Sequence, residues 1–142
     1  MSGTVLILGA KSGIARAVAH AYAQLGFDLI LSGRNVADLQ ADASDYAIRH
    51  KVKSWAVAFD ATAYETHQSF YDSLPAAPDV VVCMVGYLPD QKEAELDSVL
   101  AIRAMETNYV GCAHILNIAA NAMEARKSGT IIGVSSVAGD RG

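Results

Sequence analysis

The residues best placed to do chemistry lie near the start of the chain. Gly9-Ala10-Lys11-Ser12-Gly13-Ile14-Ala15 follows directly on the apolar run Thr4–Leu8 and leads into a helical pattern. A strand that turns through glycines into a helix can cradle phosphate. Gly9 permits the tight turn, Gly13 lets a pyrophosphate approach the backbone, and the small Ala15 lets the helix pack close to the strand. The helix start, with Ser12 and Ile14 at its mouth, adds free N–H donors and the positive end of a dipole. The competing reading is an ordinary strand-to-helix turn with glycines used for geometry, but the strand–turn–helix context favours the cradle.

About twenty residues beyond such a turn an acidic residue commonly holds the ribose 2′-hydroxyl of NAD. Here the second apolar run ends Leu31-Ser32-Gly33-Arg34-Asn35, with an arginine and no acid. A guanidinium suits a 2′-phosphate through paired, charge-assisted hydrogen bonds. The expected cofactor is therefore NADP rather than NAD. Lys11 can add positive charge, although solvation is its commoner state. The competing reading of Arg34 is a solvated surface arginine beside a helix cap.

The turn glycines are four apart, G-x-x-x-G-x-A, and not arranged as G-x-G-x-x-G. In this turn the chain resembles the classical short-chain dehydrogenase/reductase family, whose turn reads G-x-x-x-G-I-G, with Ala15 in place of the last glycine. The resemblance implies an oxidoreductase that passes hydride between NADP(H) and a carbonyl or alcohol substrate. It also implies that Asp60, followed by Ala61, accepts from the adenine amino group. On its own chemistry Asp60 reads equally as a carboxylate near a helix start, favoured by the dipole. Of Val82-Cys83-Met84-Val85-Gly86 only Gly86 matches the family's Asn-Asn-Ala-Gly, which marks a divergent member.

The same resemblance assigns the catalytic candidates. Ser136, the second serine of Gly133-Val134-Ser135-Ser136-Val137-Ala138-Gly139, matches the serine that bonds the substrate oxygen. A Ser-Ser pair can otherwise simply end a strand. Asn108, in Glu106-Thr107-Asn108-Tyr109-Val110-Gly111, matches an asparagine that bends its helix and holds a water feeding the proton relay. Asn is a poor mid-helix residue, because its side chain competes for backbone bonds; the plain alternative is a solvent-facing one. The family's proton donor is a tyrosine with a lysine four residues later. Four positions after Tyr22, Tyr46, Tyr64, Tyr71, Tyr87 and Tyr109 stand Gly26, His50, Gln68, Pro75, Gln91 and Ala113, none of them lysine. Residues 1–142 are therefore expected to be the NAD(P)-binding Rossmann part of a longer domain, inactive alone. The alternative function is a non-catalytic NADP-binding module of the same fold. Gly86–Gln91 and Ser136–Arg141 are similar to polyprenylphosphoryl keto-sugar reductases of envelope arabinan synthesis, which implies a keto-sugar substrate.

These residues need a scaffold of alternating strands and helices. Short apolar runs at Thr4–Leu8, Asp28–Ser32, Ser54–Phe59, Asp79–Val85 and Thr130–Val134 read as buried parallel strands. The first helix is expected from Gly13 to Leu25, with Ile14, Val18, Tyr22 and Leu25 inward. The second follows Asn35 as N-cap, with Leu39, Ala43 and Tyr46 inward. The third opens on a capping box, Thr62 with Glu65. A long fourth helix spans Glu93 to Arg126, where Gly111 marks a bend or a close contact. The alternation predicts an α/β fold, a Rossmann-type doubly wound parallel sheet in the order 3-2-1-4-5 with helices on both faces, incomplete at its carboxyl end.

Composition narrows the class further. The 142 residues are 52% hydrophobic and 18% charged, and 11 Lys+Arg against 15 Asp+Glu gives a net charge of −4. Disorder requires the opposite balance, and nucleic-acid binding usually requires a basic excess. A mean hydropathy of +0.23 suits elements buried on both faces. Two cysteines make no disulfide framework and read as inert core thiols of a reducing compartment. His20, His50, His67 and His114 have no metal-ligand spacing. No leader or membrane-length apolar run is present, so a cytoplasmic location is expected. The expected partners are a small substrate and, at full length, further copies of the chain, with no nucleic acid.

Overall fold

In the computed structural model, which describes residues 2–140, five short strands pair in parallel. They are β1 (Thr4–Leu8), β2 (Asp28–Gly33), β3 (Ser54–Ala58), β4 (Val80–Cys83) and β5 (Thr130–Gly133), in the order β3-β2-β1-β4-β5. Fold class and strand order are as the sequence predicts. The fourth strand is shorter than its apolar run: the paired register ends at Cys83, and just before it begins the Asp79 Oδ2 accepts from the Thr4 N–H at 2.8 Å.

Alternate residues of the sheet feed two cores. Val5, Ile7, Leu29, Leu31 and Val82 face α1 (Gly13–Gln24) and α2 (Val36–His50). Leu6, Leu8, Ile30, Val81 and Cys83 face the other way, toward α3 (His67–Asp72) and α6 (Gly111–Arg126). Each fully buried Leu or Ile contributes about 1.5–3 kcal/mol relative to exposure. Leu39, Ala43 and Tyr46 of α2 point inward as expected, and the Asn35 side chain caps the helix by accepting from the Ala37 N–H at 3.1 Å.

α1 does not bury the face that its large residues suggest. Ala15, Ala19 and Ala23 are buried, and Val18 and Tyr22 of the expected face pack half-buried against the same core, whereas Ile14 is 68% exposed and Leu25 65%. Three alanines let the helix axis approach the sheet, and the larger side chains are left at the margins or outside. The capping box does not form either. Asp60 Oδ1 takes both the Thr62 N–H, at 2.9 Å, and the Thr62 hydroxyl, at 2.8 Å, so that hydroxyl is spent before the helix begins. A short 3₁₀ turn, Tyr64–Thr66, stands in its place.

The expected long helix is four pieces. α4 (Gln91–Leu96) is capped by Asp90, and α5 (Ser98–Met105) by Asp97. A π-helical turn, Glu106–Val110, then joins α5 to α6. Both aspartates accept from backbone N–H groups ahead, and Asp97 has extended backbone, which ends one helix and starts the next. Gly111 is the close contact the sequence suggested: a Cβ there would lie 2.1 Å from the Ala61 carbonyl oxygen. Cys83 and Cys112 lie in the same apolar cluster, and the Cys112 Sγ–H donates to the Thr107 carbonyl at 3.4 Å.

Candidate cofactor-binding site

The strand order reverses between β1 and β4, because β2 and β3 continue to one side of β1 and β5 lies on the other. Ligands of open α/β sheets bind at such a switch, beyond the carboxyl ends of the strands. A cleft of about 290 Å³ opens there. Gly9, Lys11 and Ser12 form one part of its wall, Gly33, Arg34 and Asn35 a second, Asp60, Ala61 and Thr62 a third, and Met84 to Tyr87 a fourth.

The glycine turn is fixed by the sheet. The Gly9 and Ala10 N–H groups donate to the Ser32 carbonyl at 3.0 and 2.9 Å, closing the turn against β2. Gly9 has a φ of 82°, and a Cβ there would sit 2.9 Å from the Val85 nitrogen. Only glycine satisfies both conditions. Gly13 differs, since nothing lies within 4 Å of where its Cβ would be. The space in front of α1 is open, as a pyrophosphate requires. Ser12 caps α1 through its Oγ, which accepts from the Ala15 N–H at 3.1 Å. The N–H groups of Gly13 and Ile14 precede any intrahelical acceptor and face outward from the helix mouth. The exposure of Ile14 puts it at that mouth rather than in the core.

Arg34 is exposed on the cleft rim and makes no ion pair among the described residues. Its charge reaches Asp60, whose carboxyl is held below the ordinary value, first by the Thr62 N–H and also by the Thr62 hydroxyl and Arg34. Both Thr62 bonds fall on Oδ1, so Oδ2 is free to accept a further donor. Lys11 is paired with Asp38 of α2, which compensates the charge expected of it. Gly86 lines the cleft with open space around it.

The two catalytic candidates sit apart from that lining. Asn108 lies in the π-turn and clamps the Tyr87 main chain: its Oδ1 accepts from the Tyr87 N–H at 2.6 Å and its Nδ2 donates to the Tyr87 carbonyl at 2.7 Å. It is thus neither free nor simply solvated. Ser136 follows β5 and caps a 3₁₀ turn, Val137–Gly139, with its Oγ accepting from the Ala138 N–H at 3.2 Å. Arg141, part of the keto-sugar resemblance, lies outside the described residues. The sequence reading missed Tyr87 and Arg103, which line the cleft with the guanidinium 5.1 Å from the ring centre. A contact across 16 positions and two helices has no local sequence signal.

These residues fit a dinucleotide. A helix mouth with free donors, an open glycine, a free carboxylate oxygen and an unpaired guanidinium line one cleft. Among the described residues no helix is long and apolar enough to cross a membrane.

Comparison with known proteins agrees with the geometry. An uncharacterized oxidoreductase of Mycobacterium tuberculosis is 31% identical over 140 residues, which cover 96% of this chain and 56% of that protein. Sulfoacetaldehyde reductase 2 of Chromohalobacter salexigens is 31% identical over 144 residues, covering 98% of this chain and 56% of the relative. The chain thus spans about half the length of these curated relatives. A short-chain type dehydrogenase/reductase from Mycobacterium marinum superposes with a TM-score of 0.87 at 29% identity, over 97% of this chain and 57% of that one. An alcohol dehydrogenase of Thermococcus sibiricus, solved with 5-hydroxy-NADP, gives 0.86 at 25% identity over 99% and 61%. Residues 3–142 match the short chain dehydrogenase family throughout, and the chain belongs to that family.

Proposed function

We propose that this chain carries the cofactor-binding part of an NADP-dependent oxidoreductase acting on a small carbonyl or alcohol, with a keto-sugar as the favoured substrate class. The observation that carries the reading is the unpaired Arg34 on the same cleft as Gly9 and Ser12, the turn that leads into α1 at the open Gly13. When bound, a nicotinamide cofactor supplies or accepts the hydride. The chain's own residues do the holding. Gly13 and Ile14 N–H groups and the α1 dipole receive pyrophosphate. Arg34 receives the 2′-phosphate, Asp60 Oδ2 accepts from the adenine amino group, and Ala61 and Gly86 leave room beside it. Asn108 fixes the Tyr87 loop, and Ser136 supplies a hydroxyl for the substrate oxygen. A cytoplasmic location and self-assembly belong to the same proposal.

A second reading, a binding module without catalysis, is favoured by Ser136, whose hydroxyl caps its own turn and does not line the cleft. Titration of NADPH and NADH into wild type and Arg34→Ala tests the leading reading. A charge-assisted hydrogen bond is worth about 1.5–3 kcal/mol, so the substitution weakens NADPH by about 10- to 150-fold. NADH affinity changes by less than about threefold, since it lacks the phosphate. Equal losses for both cofactors, or none, would remove the basis for NADP. The module reading is favoured only if the full-length protein also binds NADPH without consuming it across a ketone and keto-sugar panel.

A further inference from the structure

His67, the first residue of α3, is fully buried, lies outside the cleft lining and has no part in the functions above. Its Nε2 is 2.8 Å from the Asp60 carbonyl oxygen. A carbonyl only accepts, so Nε2 carries the hydrogen, and in the neutral ring Nδ1 is then a bare acceptor. His114 of α6 places its own Nδ1 2.9 Å from that atom and must be the donor. The two bonds form a chain from α6 through His67 to the main chain of Asp60. Gly111 presses on Ala61 from the same helix. The loop of residues 60–62 is therefore held from behind by α6 while it faces the cleft from the front.

One proton fits between the two Nδ1 atoms. A proton added to His67 Nδ1 meets the His114 N–H and breaks the contact. The other arrangement, a cationic His67 donating to a bare His114 Nδ1, puts a charge at a site without solvent. The groups around His67 are mixed in sign. Asp60 and Glu65 favour the cation, whereas burial and His114 oppose it, and burial is the largest influence. Tyr64 packs edge-on to the ring, with Glu106 of the π-turn acting on that hydroxyl, and Phe59 covers another side. His67 is accordingly held below its ordinary value and neutral in the packed state.

We propose that His67, oriented by His114, is a positioning residue for the cofactor: the ring that donates to the Asp60 carbonyl while accepting from His114 holds the Asp60–Thr62 loop in its binding form, and one proton taken up at His67 releases it. The inference rests on the reading that this loop receives the adenine end of the dinucleotide.

The test is calorimetric titration of NADP⁺ and NAD⁺ into the chain from pH 8 to pH 5. Wild-type affinity falls with a slope that steepens toward a limit of about tenfold per pH unit as His67 takes its proton, below the ordinary histidine value. NAD⁺ shows the same limb, which separates it from titration of the 2′-phosphate. His67→Gln keeps an N–H for the Asp60 carbonyl and has nothing to titrate. Its affinity stays within about threefold of the wild-type pH 8 value, and the acid limb is lost for NAD⁺. His67→Leu removes the shorter of two hydrogen bonds to the Asp60 carbonyl, whose other donor is the Ala63 N–H at 3.3 Å, and weakens binding at every pH, by about 2- to 13-fold. A flat wild-type NAD⁺ profile, or the same limb in His67→Gln, overturns the inference and leaves the cofactor reading intact. Failure of wild type to bind either nucleotide at pH 8 overturns both. The wild-type profile needs no variant to fold.

Discussion

Gly111→Ala sets a local gain against a steric loss at one atom pair. Alanine is favoured over glycine inside a helix by about 1 kcal/mol. The new Cβ would lie 2.1 Å from the Ala61 carbonyl oxygen, 2.8 Å from its carbon and 2.9 Å from its Cβ. Even favourable carbon–oxygen contacts sit at about 3.3 Å, so helix and loop must part by about 1.2 Å. Neither side is a flexible tip: one is helix backbone and the other a buried loop. The shift carries along Ile115, Ala119 and Met123, which fill the core one, two and three turns on. Overpacking of this kind costs about 1–3 kcal/mol or more. With three atoms met inside 3 Å the cost lies at the upper end, so net destabilisation is about 2 kcal/mol, or about 5–10 °C in melting temperature. Asn117→Ala, exposed on the same helix, is the control and gains a few tenths of a kcal/mol. Thermal denaturation by circular dichroism reads both. A Gly111→Ala protein as stable as wild type would refute the claim that contact with Ala61 fixes α6.

Gly13→Val abolishes dinucleotide binding while the melting temperature stays within about 2 °C, because its side chain meets only open space; retained binding would make the turn merely structural. Asn108→Ala removes two hydrogen bonds to Tyr87, each worth about 0.5–1.5 kcal/mol. Faster amide exchange at Tyr87 is the expected result, and unchanged exchange counts against the clamp. The Asp60 carboxyl binds its proton less readily folded than unfolded, so its stabilisation is present above the ordinary carboxylate value and lost as pH falls. The melting-temperature gap between wild type and Asp60→Asn therefore narrows from pH 6 to pH 3; a constant gap would contradict the sign.

Legibility from sequence followed physical locality. Strands buried on both faces read as unbroken apolar runs, so β1 and β2 were plain, and Asn35 announced α2 because a cap acts within two residues. The inward face of α1 was misread because hydrophobic periodicity weighs side-chain size. Ala15, Ala19 and Ala23 carry little such weight, yet their smallness is what allows the close packing. Thr62 and Glu65 matched a capping pattern, but a competing acceptor two residues upstream captured the threonine. At the site, the Gly9 turn was legible because its constraint is local. The His67–His114 bond joins residues 47 apart, and no spacing rule connects them.

The pairing of β1 with β4 has a consequence for how the molecule comes apart. Val5 meets Val80, and the Thr4 N–H meets the Asp79 carboxylate 75 positions away, so this ladder is a seam between an early βαβαβ half and everything after it. The first half supplies Gly9, Arg34 and Asp60 to the cleft, and the second supplies Met84 to Tyr87. Neither half alone contains a whole site, so the cleft exists only after the long chain loop has closed. A molecule lodged there touches both sides and acts as a removable stitch across the seam. Its binding free energy adds to the cost of opening that ladder. Amides along β4 should then be the ones whose exchange slows most when the cleft is filled, while those of the outer β2–β3 ladder respond mainly through global unfolding.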